Sequence, residues 1–273
     1  MKVFFEKMHG CGNDFVVIDA FGMSAQPWDE WAKRLLDRRF GVGGDQLIIL
    51  MPSKNADAKM ATFERDGQES EMCGNGIRCA ARLLKEKGLN KAAISFDTLA
   101  GMKVVEIESF DRIRVDMGKP IFESKKIPLN TSEKVWGKEI IMDGKKIYIY
   151  ALSMGNPHAV IFVDNQNQLL WITDIGPMLE RDSLFPKKTN VEFVFVKDSR
   201  NAIVRMWERG AGETLACGTG ACAIGVVAIT ESKMKSPVTL YFKGGSLEIA
   251  WKMGEAVFMT GPASHVFHGE IEI

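Results

Sequence analysis

Short runs of β-branched and aromatic residues, bounded by Gly, Asp, Asn or Pro, recur along the chain. They predict strands at FVVIDA (15–20), QLIILM (46–51), AAISFDT (92–98), KVVEIE (103–108) and RIRVDM (112–117). A second set predicts strands at HAVIFV (158–163), VEFVFV (191–196), AIVRMW (202–207), VTLYF (238–242), SLEIAW (246–251) and AVFMT (256–260). Helical spacing is rarer. Trp28, Trp31 and Leu35 fall on one face of a helix that ends at Gly41. Ile77, Ala80, Ala81 and Leu84 do the same in a helix that stops at Gly88. From Gly220 to about Thr230 the chain is apolar nearly all round, which predicts a helix buried inside its domain.

The two sets of strands belong to a repeat. An offset of 144 residues aligns Cys73 with Cys217, Glu69 with Glu213, Gly74 with Gly218 and Gly76 with Gly220. The same offset aligns Glu64-Arg65 with Glu208-Arg209, Gln46 with Asn190 and Gly101 with Gly245. One residue less aligns Gly12-Asn13 with Gly155-Asn156. So many collinear matches imply duplication of a whole domain. The fold class expected is α+β: two pseudo-symmetric, mostly antiparallel β domains, each wrapped around a central helix, divided near Gly118-Lys119-Pro120.

Composition narrows the function classes. A chain of 273 residues with 46% hydrophobic and 26% charged residues can build two modest domains, each with a core. Lys+Arg and Asp+Glu are both 35, so the net charge is near zero and no polyanion-binding surface is expected; nucleic acid is not a partner. Glu6 and Lys7 stand where a signal peptide needs an apolar core, and the apolar stretch near 216–230 is broken by Gly and Thr and too short for a bilayer. The reading is a cytoplasmic protein with no membrane partner.

Five cysteines, Cys11, Cys73, Cys79, Cys217 and Cys222, are too few for a disulfide scaffold in a chain of this size. Their spacing does not match a zinc site, and His265 and His268 lack local Cys or acidic support, so they read as strand or loop residues and no metal is expected. Thiols in a reducing compartment fit better.

Cys73 and Cys217 each open a Cys-Gly-x-Gly motif at the mouth of a predicted helix. Glycine lets the backbone turn tightly there and leaves the first amide N–H groups uncovered. The positive end of the helix favours thiolate over thiol and binds a carboxylate. Each motif therefore offers a sulfur base beside an anion cradle. A cysteine near a helix start is usually only a small buried residue; two copies at a constant offset favour function. A pseudo-twofold arrangement would set the α-carbon of a small amino acid between two sulfurs, one withdrawing a proton from one face and the other returning one to the opposite face. The glycines of GVGG and GAG do not complete a nucleotide-binding loop.

At these residues the sequence resembles the diaminopimelate epimerases, which are pyridoxal-phosphate-independent amino-acid racemases. MHGCGNDFVVID, RRFGVGGDQ, DGQESEMCGNGIRC, TLAGMKV, VDMGKP, SMGNPHAVIFV, FPKKTNVEFV, RMWERGAGETLACGTGACA and GPASHVF carry the resemblance in family order. It implies two pseudo-symmetric domains with the active site between them. It also implies a C-terminal strand that returns to the first domain, giving 1–118 with 263–273 and 119–262. Cys73 and Cys217 become the acid/base pair, with no cofactor. Gly74, Asn75, Gly218 and Thr219 would present backbone N–H groups to the α-carboxylate. Asn13, Gln46, Asn156, Asn190, Glu208 and Arg209 would grip the rest of the substrate, and His158 and Glu208 would tune the cysteines. The activity implied is L,L- to meso-diaminopimelate epimerisation, for lysine and/or peptidoglycan synthesis, by a homodimer.

Glu64 departs from the family pattern, which has Asn at this position near the substrate's distal end. A carboxylate there would repel a distal carboxylate unless paired, with Arg65 or Arg209 as candidates, or protonated by burial. It would also suit a racemase of lysine or ornithine, or it turns outward. Two other classes stay open. A Cys hydrolase needs one Cys and a His, and a thiol redox protein uses the Cys pair as a working disulfide.

Overall fold

The structure, a computed structural model, describes residues 1–273. Its contacts divide the chain into two units, Met1–Asp116 with Thr260–Ile273, and Met117–Met259. No helix in either is long and apolar enough to cross a membrane.

The first unit begins with β1 (Lys2–Gly10) and β2 (Asn13–Asp19), followed by α1 (Trp28–Leu35), β3 (Gln46–Met51), β4 (Ala58–Glu64) and β5 (Glu69–Ser70). Then come α2 (Gly74–Glu86), β6 (Ala93–Thr98), β7 (Gly101–Ser109) and β8 (Arg112–Asp116). The sheet is mixed. β2 runs parallel to β3 and β4 parallel to β6, while β3–β4, β4–β5, β6–β7 and β7–β8 are antiparallel. Val16, Ile18, Leu47 and Ile49 turn one face of these strands onto Trp31, Ala32 and Leu35 of α1. Ile77, Cys79, Ala80, Ala81 and Leu83 of α2 are buried, as their helical spacing predicts.

The second unit repeats this order with different residues. β9 (Trp136–Met142), β10 (Lys145–Ser153) and β11 (Pro157–Val163) lead into a 3-10 turn (Gln166–Trp171) and α3 (Ile172–Glu180). β12 (Asn190–Val196), β13 (Asn201–Glu208), β14 (Gly212–Glu213), α4 (Gly218–Thr230), β15 (Val238–Phe242), β16 (Gly245–Ala250) and β17 (Phe258–Gly261) follow. β11 is parallel to β12 and β13 to β15, the counterparts of β2–β3 and β4–β6. α4 is buried on every side from Gly220 to Ala228, as its all-round apolarity requires. β18 (Ser264–Glu272) then pairs antiparallel with β1 in the first unit.

Three features differ from the sequence reading. The helix expected to reach Gly41 ends at Leu35. The Asp37 carboxylate accepts the Arg39 and Phe40 N–H groups, and the Val42 and Gly43 N–H groups turn back to the Leu35 carbonyl, so the local bonding closes a loop. α3 was not expected, because Gly176 and Pro177 interrupt its pattern. Gly176 is there for space, since a Cβ would come within 3.0 Å of Trp207. β1, β4, β9 and β10 also lie outside the predicted runs; in β1, β4 and β9 Lys or Glu interrupts the apolar residues.

Candidate active site

In the first unit Cys73 is the N-cap of α2, with extended backbone (φ −113°, ψ 117°). The Asn13 side-chain oxygen organises this corner: it accepts from Cys73 Sγ at 3.5 Å and from the Asn75 amide at 3.2 Å. The Asn13 amide donates to Asp45 Oδ2 at 2.9 Å. Asn75 is fixed from its other side by the Arg78 guanidinium, 3.0 Å from its Oδ1. Arg78 is fully buried and also donates to the carbonyls of Gly74 and Pro262. Two glycines make room for this packing. A Cβ on Gly10 would stand 2.9 Å from Arg78 Nη2, and one on Gly76 would stand 2.8 Å from Ile48 Cδ1. The amides of Gly74 and Asn75 belong to the first turn of α2, where the helix's own i to i−4 bonding does not use them.

Gln46 and Glu64 stand opposite one another on β3 and β4, and the Gln46 amide donates to Glu64 Oε1 at 2.5 Å. The Gln46 side-chain oxygen is buried without a hydrogen-bond partner. Arg65 does not neutralise its neighbour; its guanidinium goes to the Gly44 carbonyl and to Asp45.

In the second unit Cys217 is the N-cap of α4, in the same extended conformation (φ −133°, ψ 128°), and is buried. Its sulfur lies 3.3 Å from the Thr219 hydroxyl and accepts from the Gly220 N–H. These contacts favour thiolate, as a helix mouth should. Burial and the nearby Glu208 carboxylate outweigh them and push the Cys217 thiol well above its ordinary value. The expectation that a helix mouth lowers the thiol's pKa is therefore reversed at Cys217. Glu208 itself accepts from the Thr214 hydroxyl.

His158 serves a different group. Its Nδ1 lies 2.6 Å from Glu192 Oε1 and its Nε2 lies 2.9 Å from Asn156 Oδ1. The groups that bear most on the Cys217 thiol, besides burial, are Glu208, Thr219 and Gly220. The direct hydrogen bonds of His158 are thus to Asn156 and Glu192. Asn190 is buried, donates to the Pro157 carbonyl and accepts the Arg209 backbone N–H at 2.9 Å. The Arg209 guanidinium reaches the Lys187 carbonyl at 3.4 Å.

In the first unit the structure gathers Asn13, Cys73, Gly74 and Asn75 around one helix mouth and sets Gln46 with Glu64 on adjacent strands. In the second it gathers Cys217, Gly218, Thr219 and Glu208, and holds Asn156 through His158. Sequence reading missed Arg78, Asp45 and Glu192. Glu192 carried a signal: one carboxylate in the otherwise apolar run VEFVFV, where both neighbours are core residues.

Comparison with known proteins agrees with this reading. The profile of the family described as diaminopimelate epimerase matches residues 5–123 and 150–266. A protein named diaminopimelate epimerase from Acetivibrio thermocellus is 44% identical over 276 residues, 98% of each chain. One of the same name from Desulfitobacterium hafniense is 46% identical, over 96% of each chain. Among solved structures, a PhzF-family phenazine biosynthesis protein from Bacillus anthracis superposes with TM-score 0.71 at 17% identity, covering 100% of both chains. A hydroxyproline epimerase from Agrobacterium vitis superposes with TM-score 0.70 at 14% identity, covering 99% of this chain and 91% of that one. These two show a shared fold. The sequence matches show more: this chain belongs to the diaminopimelate epimerase family.

Proposed function

We propose that this protein interconverts L,L- and meso-diaminopimelate, with Cys73 and Cys217 as the two acid/base groups and without an organic cofactor. The observation that carries the reading is the repetition of one chemical device. In a chain matching this family along nearly its whole length, each unit places a cysteine as the N-cap of its equivalent helix, followed by Gly-x-Gly. Inverting a stereocentre needs proton removal on one face and proton return on the other, and two like bases meet that need. One sulfur takes the α-proton as thiolate. The negative charge that develops toward the carboxylate is met by the first-turn amides Gly74, Asn75, Gly218 and Thr219. The other sulfur gives its proton to the opposite face. Cys217, whose proton is held by burial and by Glu208, starts as the acid. Asn13, Asn156, Asn190, Gln46 and Arg209 orient the remainder of the substrate. We also place the enzyme in the cytoplasm as a homodimer, making meso-diaminopimelate for lysine and/or peptidoglycan synthesis.

The test is incubation of L,L-diaminopimelate with enzyme in D₂O, following α-deuterium entry together with optical rotation. Wild type is expected to incorporate deuterium as it epimerises. Cys73→Ala and Cys217→Ala should each abolish epimerisation; near-normal turnover by either would remove the two-base scheme.

A further inference from the structure

Glu6 on β1 and His265 and His268 on β18 form a cluster apart from both cysteine motifs, with their ligand atoms all within 4.8 Å of one another. Sequence spacing conceals it, because residues three apart on a regular strand point to opposite faces. Here the pairing of β1 with β18 slips: Lys7 faces Phe267, but the next residue, Met8, faces His265, so Val266 is an extra residue on β18. This bulge returns His265 to the face that carries His268. Glu6 pairs directly with His268 across the strands, which puts its carboxylate on that face too.

We propose that Glu6, His265 and His268 bind one divalent transition-metal ion of the zinc class. His265 Nε2 is buried and its close polar neighbour is Glu6 Oε2, 2.9 Å away. The separation is that of an ordinary ion pair, and it also lets both atoms ligate one cation, with His268 as the third ligand. The other ring nitrogen, Nδ1, faces Glu86 Oε2 at 4.0 Å. That separation is too long for a hydrogen bond; a small side-chain rotation would bring the carboxylate onto the ring nitrogen as the outer partner a ligating imidazole uses. Arg82 holds Glu86 through Oε1 at 2.8 Å, which leaves Oε2 for the histidine.

Two imidazoles and one carboxylate suit zinc, cobalt or nickel, whereas magnesium and calcium take oxygen ligands. The spread of the three ligand atoms is small enough for side-chain torsions to close onto bonds of about 2.0–2.2 Å. His268 is exposed, so an ion can enter and water can complete the coordination.

The probe is Co²⁺, titrated into the full chain carrying Cys73→Ala and Cys217→Ala so that those two thiols cannot ligate it. Equilibrium dialysis should give one Co²⁺ per chain, with the intense visible absorption of a four-coordinate site and displacement by Zn²⁺. His268→Ala, at an exposed position, and His265→Ala should each weaken binding at least about tenfold, and Glu86→Gln by about tenfold. The proposal is overturned if the parent chain binds no cobalt, if sulfur-to-cobalt charge transfer dominates the spectrum, or if His268→Ala binds as tightly as its parent.

Discussion

Glu192 Oε1 stands 2.6 Å from His158 Nδ1, and neither side chain reaches solvent. The Asn156 carbonyl oxygen can only accept, so His158 Nε2 carries a hydrogen. The proton between Nδ1 and Glu192 is then shared by the pair, as a protonated carboxyl beside a neutral ring or a carboxylate beside an imidazolium. Burial raises the Glu192 carboxyl, while the ring opposes that rise. Either way the pair fixes Asn156, one of the proposed substrate contacts.

Glu192→Gln can still donate one hydrogen bond to Nδ1 and is expected to cost only about 1 kcal/mol. Glu192→Leu leaves the ring nitrogen buried and unpaired and should cost about 3 kcal/mol. Denaturant unfolding of both variants checks the order. If His158 acts by holding Asn156, both should raise KM for diaminopimelate more than they lower kcat. Equal stabilities for the two would remove the hydrogen-bond account.

The elevated Cys217 thiol gives a second expectation. Its folded-state pKa lies above the unfolded one, so its contribution to stability is full below the ordinary thiol value and is lost as pH rises through the folded value. The thiolate of ligand-free enzyme should therefore form only under alkaline conditions. Glu208→Gln removes the like charge and should move Cys217 ionisation to lower pH. Thiolate ultraviolet absorbance, titrated in a Cys73→Ala background, reads this directly. A titration unmoved by Glu208→Gln would assign the rise to burial alone.

The same residues show where sequence reading succeeds and where it stops. The buried helix α4 and the two N-cap cysteines were legible from local pattern, all-round apolarity and Gly-x-Gly after Cys, and the repeat from collinear matches at offsets of 143 and 144. The direction of the Cys217 shift was not legible, since it depends on burial and on a carboxylate nine residues away in sequence. Arg78 was hidden for a related reason. In GIRCAARLL it reads as the polar side of an amphipathic helix, yet it is fully buried and bonded to Pro262, whose proximity no local pattern encodes. The grouping of Glu6 with His265 needed a bulge, and the ends of α1 needed the Asp37 side chain. Both are events of a single residue that periodicity averages away.

Asp14 offers a test of the framework under Asn13. Although partial burial works against it, Arg38 and Lys7 hold the Asp14 carboxyl far below the usual carboxylate range. A depressed folded-state pKa means the stabilisation is present above the unfolded value of 3.8 and is lost as pH falls below it. Asp14→Asn leaves the largely buried Lys7 ammonium without its carboxylate and should cost about 3 kcal/mol at neutral pH. The deficit should shrink in acid, where wild type loses the same interaction. Urea unfolding across pH measures it; a deficit constant down to strongly acidic pH would sink the assignment.

The sequence resemblance sets Glu64 apart from the family pattern, and its surroundings sharpen the question of substrate charge. Gln46 donates to one carboxylate oxygen, which satisfies a lone pair without neutralising the group. Arg65, the neighbouring cation, is committed to Asp45 and Gly44. A carboxylate left uncompensated near the substrate's distal end would work against a distal carboxylate and in favour of a monocarboxylate with a cationic tail. Glu64→Asn removes the charge and should raise kcat/KM for diaminopimelate relative to ornithine by about tenfold, equivalent to about 1.4 kcal/mol. Glu64→Gln, longer and equally neutral, should move the ratio the same way but less. Gln46→Ala, which takes away the donor and leaves the charge, should not raise it. The measurement is competition between the two substrates in D₂O, with α-deuterium counted in each. An unchanged ratio across wild type, Glu64→Asn and Glu64→Gln would make Glu64 a partner for Gln46 in the sheet and nothing more.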